Sequence, residues 1–258
     1  MSSHAIPENY SASPDLLKDR VILVTGAGDG IGRAVANEYA KYGATVILTG
    51  KTVQKLEAVY DEITTAGDTE PVIFPLDLST AGSEEFNGLA GGIAQELGRL
   101  DGILHNAAEL GALTPIDHYP EDLLQRVLKV NLQAPIQITQ ACLPLLRQSD
   151  DAAILFSSTN EYEKTSAYWG AYGVSKQGLD AFMLILADEL ENNTHIRVNA
   201  IDPGPVRSRL RNLAYPAEDP STLRTPADVA SAYLYMMGAD SKALNGQLVE
   251  AFAGPTQA

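Results

Sequence analysis

The stretch Val21-Ile22-Leu23-Val24-Thr25-Gly26-Ala27-Gly28-Asp29-Gly30-Ile31-Gly32 decides the reading of this 258-residue chain. Its first five residues are apolar or β-branched and make a short strand buried on both faces. A glycine-dense turn follows, and the amphipathic run 31–42 begins inside it. Glycines let the backbone turn sharply and come close to a ligand. The start of a helix adds unpaired N–H groups and the positive end of its dipole. Strand, glycine turn and helix in that order form a cradle for a pyrophosphate, with Gly26, Gly28, Asp29, Gly30 and Ile31 as its candidate residues.

Outward from this unit the pattern repeats. Strands are expected at 21–25, 45–49, 72–76, 102–105, 153–157 and 197–201, with a seventh at 246–250. Helices are expected at 31–42, 53–65, 84–97, 121–146, 171–191 and 227–237. Strand–helix alternation implies right-handed crossovers and a parallel sheet covered on both faces. The expected architecture is an α/β doubly wound Rossmann fold with about seven strands. No repeat or linker divides residues 1–258, so one domain is expected, with an N-terminal extension over 1–18. The Pro- and Arg-rich segment 204–225 lacks clear periodicity and is expected to be a substrate lid.

Charge narrows the partners. With 33 acidic against 18 basic side chains the net charge is −15, which repels nucleic acid and anionic membrane surfaces. No apolar run approaches the ~18 residues that span a bilayer, and the N-terminal stretch lacks a basic-then-apolar signal pattern. The single cysteine, Cys142, sits in an apolar helical run and is expected to be a buried structural thiol. A chain without disulfides fits a reducing compartment, and a cytoplasmic location is expected. The acidic helix end Asp188, Glu189 and Glu191 shows no metal-site spacing, and no metal is expected.

Two further features carry chemistry. An NAD site usually places a carboxylate at the end of the second strand, whereas here that strand ends in Gly50-Lys51-Thr52. Lys51 can neutralise a 2′-phosphate, and Thr49 and Thr52 can donate to it. Asp29 argues mildly the other way. NADP(H) is therefore the expected cofactor, with NAD(H) the alternative. Tyr172 and Lys176 share a helix face at i, i+4, directly after the strand-end hydroxyls Ser157, Ser158 and Thr159. A cation held beside a tyrosine stabilises its phenolate and brings the phenol toward acid/base work near neutral pH.

At this point the chain resembles the short-chain dehydrogenases/reductases, from about residue 20 to 252. Residues 25–32 are similar to that family's TGxxxGxG, and Tyr172 to Lys176 to its YxxxK. Asp77-Leu78 resembles its adenine-contacting pair. His105-Asn106-Ala107-Ala108 resembles NNAG with both outer residues replaced. Pro203-Gly204, Val206 and Ser208 resemble the segment that steadies a nicotinamide. The resemblance implies that Tyr172 exchanges a proton with the substrate oxygen, while Lys176 binds the nicotinamide ribose and lowers the tyrosine pKa. Asn131 would hold a water beside Lys176, and Asn106 and Ala107 would border the cofactor.

The substrate-binding hydroxyl stays open between Thr159, thirteen residues before Tyr172, and Ser158, which looks more like the family's strand-end serine. Adjacent strand residues face opposite sides, so both cannot point at the same ligand. Tyr168 and Trp169 are either pocket-lining or packing aromatics. Arg207, Arg209 and Arg211 suggest an anionic substrate. The expected activity is NADPH-dependent reduction of a ketone or aldehyde by a homodimer or homotetramer. The alternatives are an NAD-linked alcohol dehydrogenase and a non-catalytic nucleotide-sensing protein.

Overall fold

The computed structural model describes residues 6–7 and 10–252. Positions 1–5, 8 and 9 of the expected extension, and 253–258 of the expected domain, lie outside the described residues. Among the described residues seven strands form one sheet. These are β1 (Val21–Thr25), β2 (Thr45–Gly50), β3 (Val72–Pro75), β4 (Gly102–His105), β5 (Ala152–Ser157), β6 (Ile196–Asp202) and β7 (Leu248–Glu250). Their order is β3-β2-β1-β4-β5-β6-β7, and every pairing is parallel. The order reverses between β1 and β4, so the loops leaving these two strands diverge and open a crevice at their carboxyl ends. Strands β1, β4 and β5 are buried at every position, as their unbroken apolar runs require.

Helices cover both faces. They are α1 (Gly30–Lys41), α2 (Val53–Ala66), α3 (Ser83–Glu96), α4 (Glu121–Leu128), α5 (Ala134–Leu146), α6 (Glu161–Thr165), α7 (Gly170–Glu191), α8 (Arg209–Ala214) and α9 (Pro226–Met237). One apolar cluster joins β1 to α1, α2 and α9 through Val24, Val35, Tyr39, Leu56 and Tyr233. The other joins the opposite face to α3, α5 and α7 through Leu23, Phe86, Ile138, Phe156 and Met183. Cys142 lies fully buried on α5, and burial pushes its thiol up to about 12.

The single helix expected over 121–146 is broken. A π turn at Lys129–Gln133 separates α4 from α5, and the Ala134 N–H reaches back five residues to the Lys129 carbonyl. Pro135 has no N–H to offer the Asn131 carbonyl, so the α-helical register cannot pass this point. Two short helices, α6 and α8, were not expected, because neither is long enough to show a period.

Residues of the 1–18 segment pack onto the body. Leu17 is fully buried, its N–H donates to the Tyr42 carbonyl, and Tyr10 stands edge-on to Tyr235. No helix among the described residues is long and apolar enough to cross a membrane.

Candidate active site

A cleft of about 600 Å³ runs along the carboxyl ends of β1, β2, β4, β5 and β6. Its floor at one end is the glycine turn. Gly26 has φ of +69°, and a Cβ on Gly32 would lie 2.2 Å from the Gly26 carbonyl oxygen. Only glycine permits this fold of the backbone, which brings the start of α1 up to the cleft. Asp29 caps α1 by accepting from the Gly30 N–H at 2.8 Å and forms an ion pair with Lys55. That pair with Lys55 is the main reason its carboxyl sits below the ordinary range.

The second-strand end lies beside this turn. Thr49, Lys51 and Lys55 all border the cleft. Thr49 is fully buried, yet its Oγ1 finds no protein partner. A buried hydroxyl without a partner is costly and calls for a ligand or ordered water. Two lysines, an unpartnered hydroxyl and a glycine-floored helix start are together the donor set that suits a phosphorylated dinucleotide. Lys55 was missed in the sequence, where one lysine in the first turn of α2 looks like ordinary solvated surface.

Farther along, Asp77 and Leu78 line the wall. Burial disfavours the Asp77 carboxylate, but donation from the Ser79 hydroxyl and backbone N–H outweighs it and holds the group below its usual range. The Asn106 and Ala107 N–H groups both donate to Thr25 Oγ1, at 3.0 and 3.1 Å, which ties the β4 loop to the β1 loop. His105, standing where the family motif has asparagine, is buried against Phe156 with Nε2 on Thr139. Burial pushes its pKa down to about 3, so it is a neutral packing group. Pro203, Gly204, Val206 and Ser208 close the same end of the cleft. Ser208 Oγ also caps α8 by accepting from the Arg211 N–H.

Tyr172 and Lys176 open α7, one turn apart on the face toward the cleft, with 5.8 Å from Lys176 Nζ to the phenol ring centre. Lys176 Nζ donates to the Ser157 carbonyl at 2.7 Å, and burial lowers its pKa to about 8. The phenol departs from the sequence expectation. Burial, and next the nearby Glu163 carboxylate, push the Tyr172 pKa up. The net direction is away from neutrality.

The two candidate hydroxyls differ sharply. Ser158 Oγ donates to Asp180 at 2.7 Å, and Lys164 Nζ holds the other oxygen of that carboxylate at 2.8 Å. Thr159 faces Tyr172 and donates to Glu163. Asn131, alone among the candidate residues, does not border the cleft. Its amide clamps the Glu109 backbone, accepting at 2.8 Å and donating at 2.9 Å, and also donates to Ser175.

The segment 204–225, expected to be a lid, is anchored by a β-bridge between Val206 and Arg224. Of its arginines, Arg209 and Arg211 border the cleft and Arg207 does not. Arg211 is paired with Glu163 at 2.9 Å and with Glu218 at 2.7 Å. Arg207 and Arg209 line a second hollow with Arg33 beyond the start of α1. Trp169 is buried between Tyr172 and Tyr215, with ring centres 5.7 and 5.8 Å away, whereas Tyr168 points outward at 60% exposure. Glu163 was also missed, because no motif marks it and only folding brings it to the tyrosine. Among the described residues no cluster of His, Cys, Asp and Glu is arranged to hold a metal.

Comparison with known proteins agrees with this geometry. Residues 20–219 match the family model described as short chain dehydrogenase. The chain is 45% identical over 246 residues to the uncharacterised oxidoreductase YciK of Escherichia coli, covering 95% of this chain and 97% of that one. A short chain dehydrogenase structure from Pseudomonas syringae superposes with a TM-score of 0.92 at 47% identity, covering 95% of this chain and 99% of the other. One from Shigella flexneri, complexed with NADP, gives 0.89 at 44% identity with 93% and 99% covered. Another from Escherichia coli, complexed with NADPH, gives 0.89 at 45% identity with the same coverage. The chain belongs to the short chain dehydrogenase family and is an oxidoreductase acting on CH–OH groups.

Proposed function

We propose that this protein is an NADPH-dependent carbonyl reductase, interconverting a ketone or aldehyde and its alcohol, with Tyr172 as the acid/base. The observation that carries the reading is the continuity of one cleft, from Lys51, Lys55 and the glycine turn to Tyr172, Lys176 and Thr159. NADPH bound there would supply the hydride. Lys51 and Lys55 would meet the 2′-phosphate, Gly26 to Ile31 the pyrophosphate, and Asp77 and Leu78 the adenine. Asn106, Ala107, Pro203, Gly204, Val206 and Ser208 would border the nicotinamide half, and Lys176 its ribose hydroxyls.

Tyr172 then gives its proton to the carbonyl oxygen as that oxygen becomes a hydroxyl, with Thr159 beside it. Burial and the Glu163 charge keep the phenol protonated. That is the protonation state from which reduction starts, whereas alcohol oxidation starts from the phenolate. Asn131 acts from behind by fixing the Glu109 loop.

In this reading the chain works in the cytoplasm as one domain, with 204–225 as its substrate lid. A second copy would cover the outer face of α7, where Val174 and Ile185 are 63% and 64% exposed. NADPH consumption over a panel of aldehydes and ketones tests the activity. Turnover of at least one compound is expected, and tight NADPH binding with no turnover would point instead to a nucleotide-sensing protein.

A further inference from the structure

The inner end of the cleft holds a carboxylate that the proton transfer above does not use. Glu163 is 6% exposed, on α6. One of its oxygens, Oε2, accepts from the Thr159 hydroxyl. The other, Oε1, accepts from Arg211 Nη1 at 2.9 Å and from the Tyr215 hydroxyl at 3.2 Å, both from the lid. Its backbone N–H is bonded to Asn160 Oδ1, which fixes the turn that carries it. The charged and titratable groups around it are Lys164 on α6, Tyr172, Lys176 and Asp180 on α7, Asp202 at the end of β6, and Arg211, Tyr215 and Glu218 on the lid.

A threonine hydroxyl has one proton and two lone pairs. A bond to a carboxylate is charge-assisted and outcompetes a bond to a neutral oxygen. With its proton held by Glu163, Thr159 shows the cleft only lone pairs, and in its hydrogen bond with Tyr172 it accepts from the phenol. Tyr172 is then the donor at this spot and Thr159 the acceptor. A plain ketone bound here would use Tyr172 but set its second lone pair against those of Thr159. A compound with a hydroxyl next to its carbonyl satisfies both, the carbonyl accepting from Tyr172 and the hydroxyl donating to Thr159.

We propose that Glu163 is a specificity-determining positioning residue, which captures the Thr159 proton and so selects substrates bearing a hydroxyl beside the reacting carbonyl. This rests on the carbonyl-reductase reading. The lid takes part, because Arg211 and Tyr215 occupy Oε1 and leave Oε2 to Thr159.

The two lid donors also dictate what Glu163→Gln does. They require the amide oxygen on their side, which turns the amide NH₂ toward Thr159. Thr159 becomes an acceptor there and a donor into the cleft, so its polarity is inverted. The probes are acetoin, an α-hydroxyketone, and butan-2-one, the same ketone without the hydroxyl, each reduced with NADPH. The wild type should favour acetoin in kcat/KM by about tenfold, the worth of one good hydrogen bond against a lone-pair clash. Glu163→Gln should remove or reverse that preference. Thr159→Val should abolish it without touching the ion pair, and adding Glu163→Gln in that background should change nothing further. A wild type indifferent to the hydroxyl, or a preference that survives either substitution, would overturn the proposal.

A second readout needs no turnover, so failure of the activity reading is distinguishable from failure of this one. In protein labelled with ¹³C at the tyrosine ζ carbon, the signal lost in Tyr172→Phe reports the phenol. At neutral pH that resonance reports the hydrogen bonds of the phenol oxygen, and Glu163→Gln should displace it by more than Thr159→Val/Glu163→Gln does relative to Thr159→Val, because only the first frees the Thr159 proton for that oxygen. Equal shifts would show that Glu163 acts through charge alone and would overturn the role given to Thr159.

Discussion

Both ends of the sheet bury ions, and they use them differently. At the amino ends of the strands, Arg20 donates to the carbonyls of Met237, Asp101 and Asp151. Arg197 donates to those of Met236, Met237 and Gly238 and to Ser241. Asp101 accepts from the Val21 N–H, from Arg99 and from Ser149. The two arginines thus satisfy the carbonyls that α9 leaves unpaired at its C-terminus, where a cation is also favoured by the helix dipole. At the carboxyl ends, Glu163, Lys176 and Tyr172 are equally buried, yet each keeps bonding capacity toward an open cleft. Burial of charge therefore does not mark a functional site by itself. Unspent hydrogen-bonding capacity facing a cavity does.

That contrast can be broken by substitution at either end. The largest effect is expected from Tyr172→Phe, which should cost roughly 10²–10⁴ in turnover, as loss of a positioned acid/base does. Its melting temperature should stay near that of the wild type, since the removed hydroxyl faces the cleft. Retained turnover in the folded variant would remove Tyr172 from its role. At the other end, Arg197→Met should lower unfolding free energy by roughly 3 kcal/mol in urea denaturation, because several buried carbonyls lose their donor. The activity of the folded fraction should be unchanged. A loss of turnover without a loss of stability would erase the distinction between the two ends.

A smaller effect sharpens the comparison inside the cleft. Lys51→Ala and Lys55→Ala should each weaken NADPH binding about tenfold while leaving NADH nearly untouched, since only NADPH carries the extra phosphate. Calorimetric titration of both cofactors reads this directly. Equal losses for NADPH and NADH in Lys55→Ala would show that the lysine serves only to neutralise Asp29.

How far the site was legible follows from how local each signal is. The glycine turn, the strand runs and the Tyr172–Lys176 spacing are written within a few residues each, and their place in the fold follows from alternation. The break at Lys129–Gln133 had one visible sign, Pro135, which was read as part of a continuous helix. Thr159 and Ser158 looked interchangeable until their partners, Glu163 and Asp180, were known. Those partners sit on α6 and α7, and no periodicity announces them. The arginines of 204–225 were only partly legible for the same reason. Three like charges close in sequence suggested one anion site, but α8 pairs Arg211 with Glu163, leaves Arg209 bordering both hollows and places Arg207 in the second one alone.

One consequence of the packing at the lid is optical. Trp169 is the single tryptophan in the chain, wedged between the Tyr172 ring and that of Tyr215, over which the Arg211 guanidinium lies at 3.7 Å. Any displacement of segment 204–225 from α7 would change the surroundings of that one indole. The time course of intrinsic emission after mixing with cofactor would therefore report whether the segment moves, without any engineered dye.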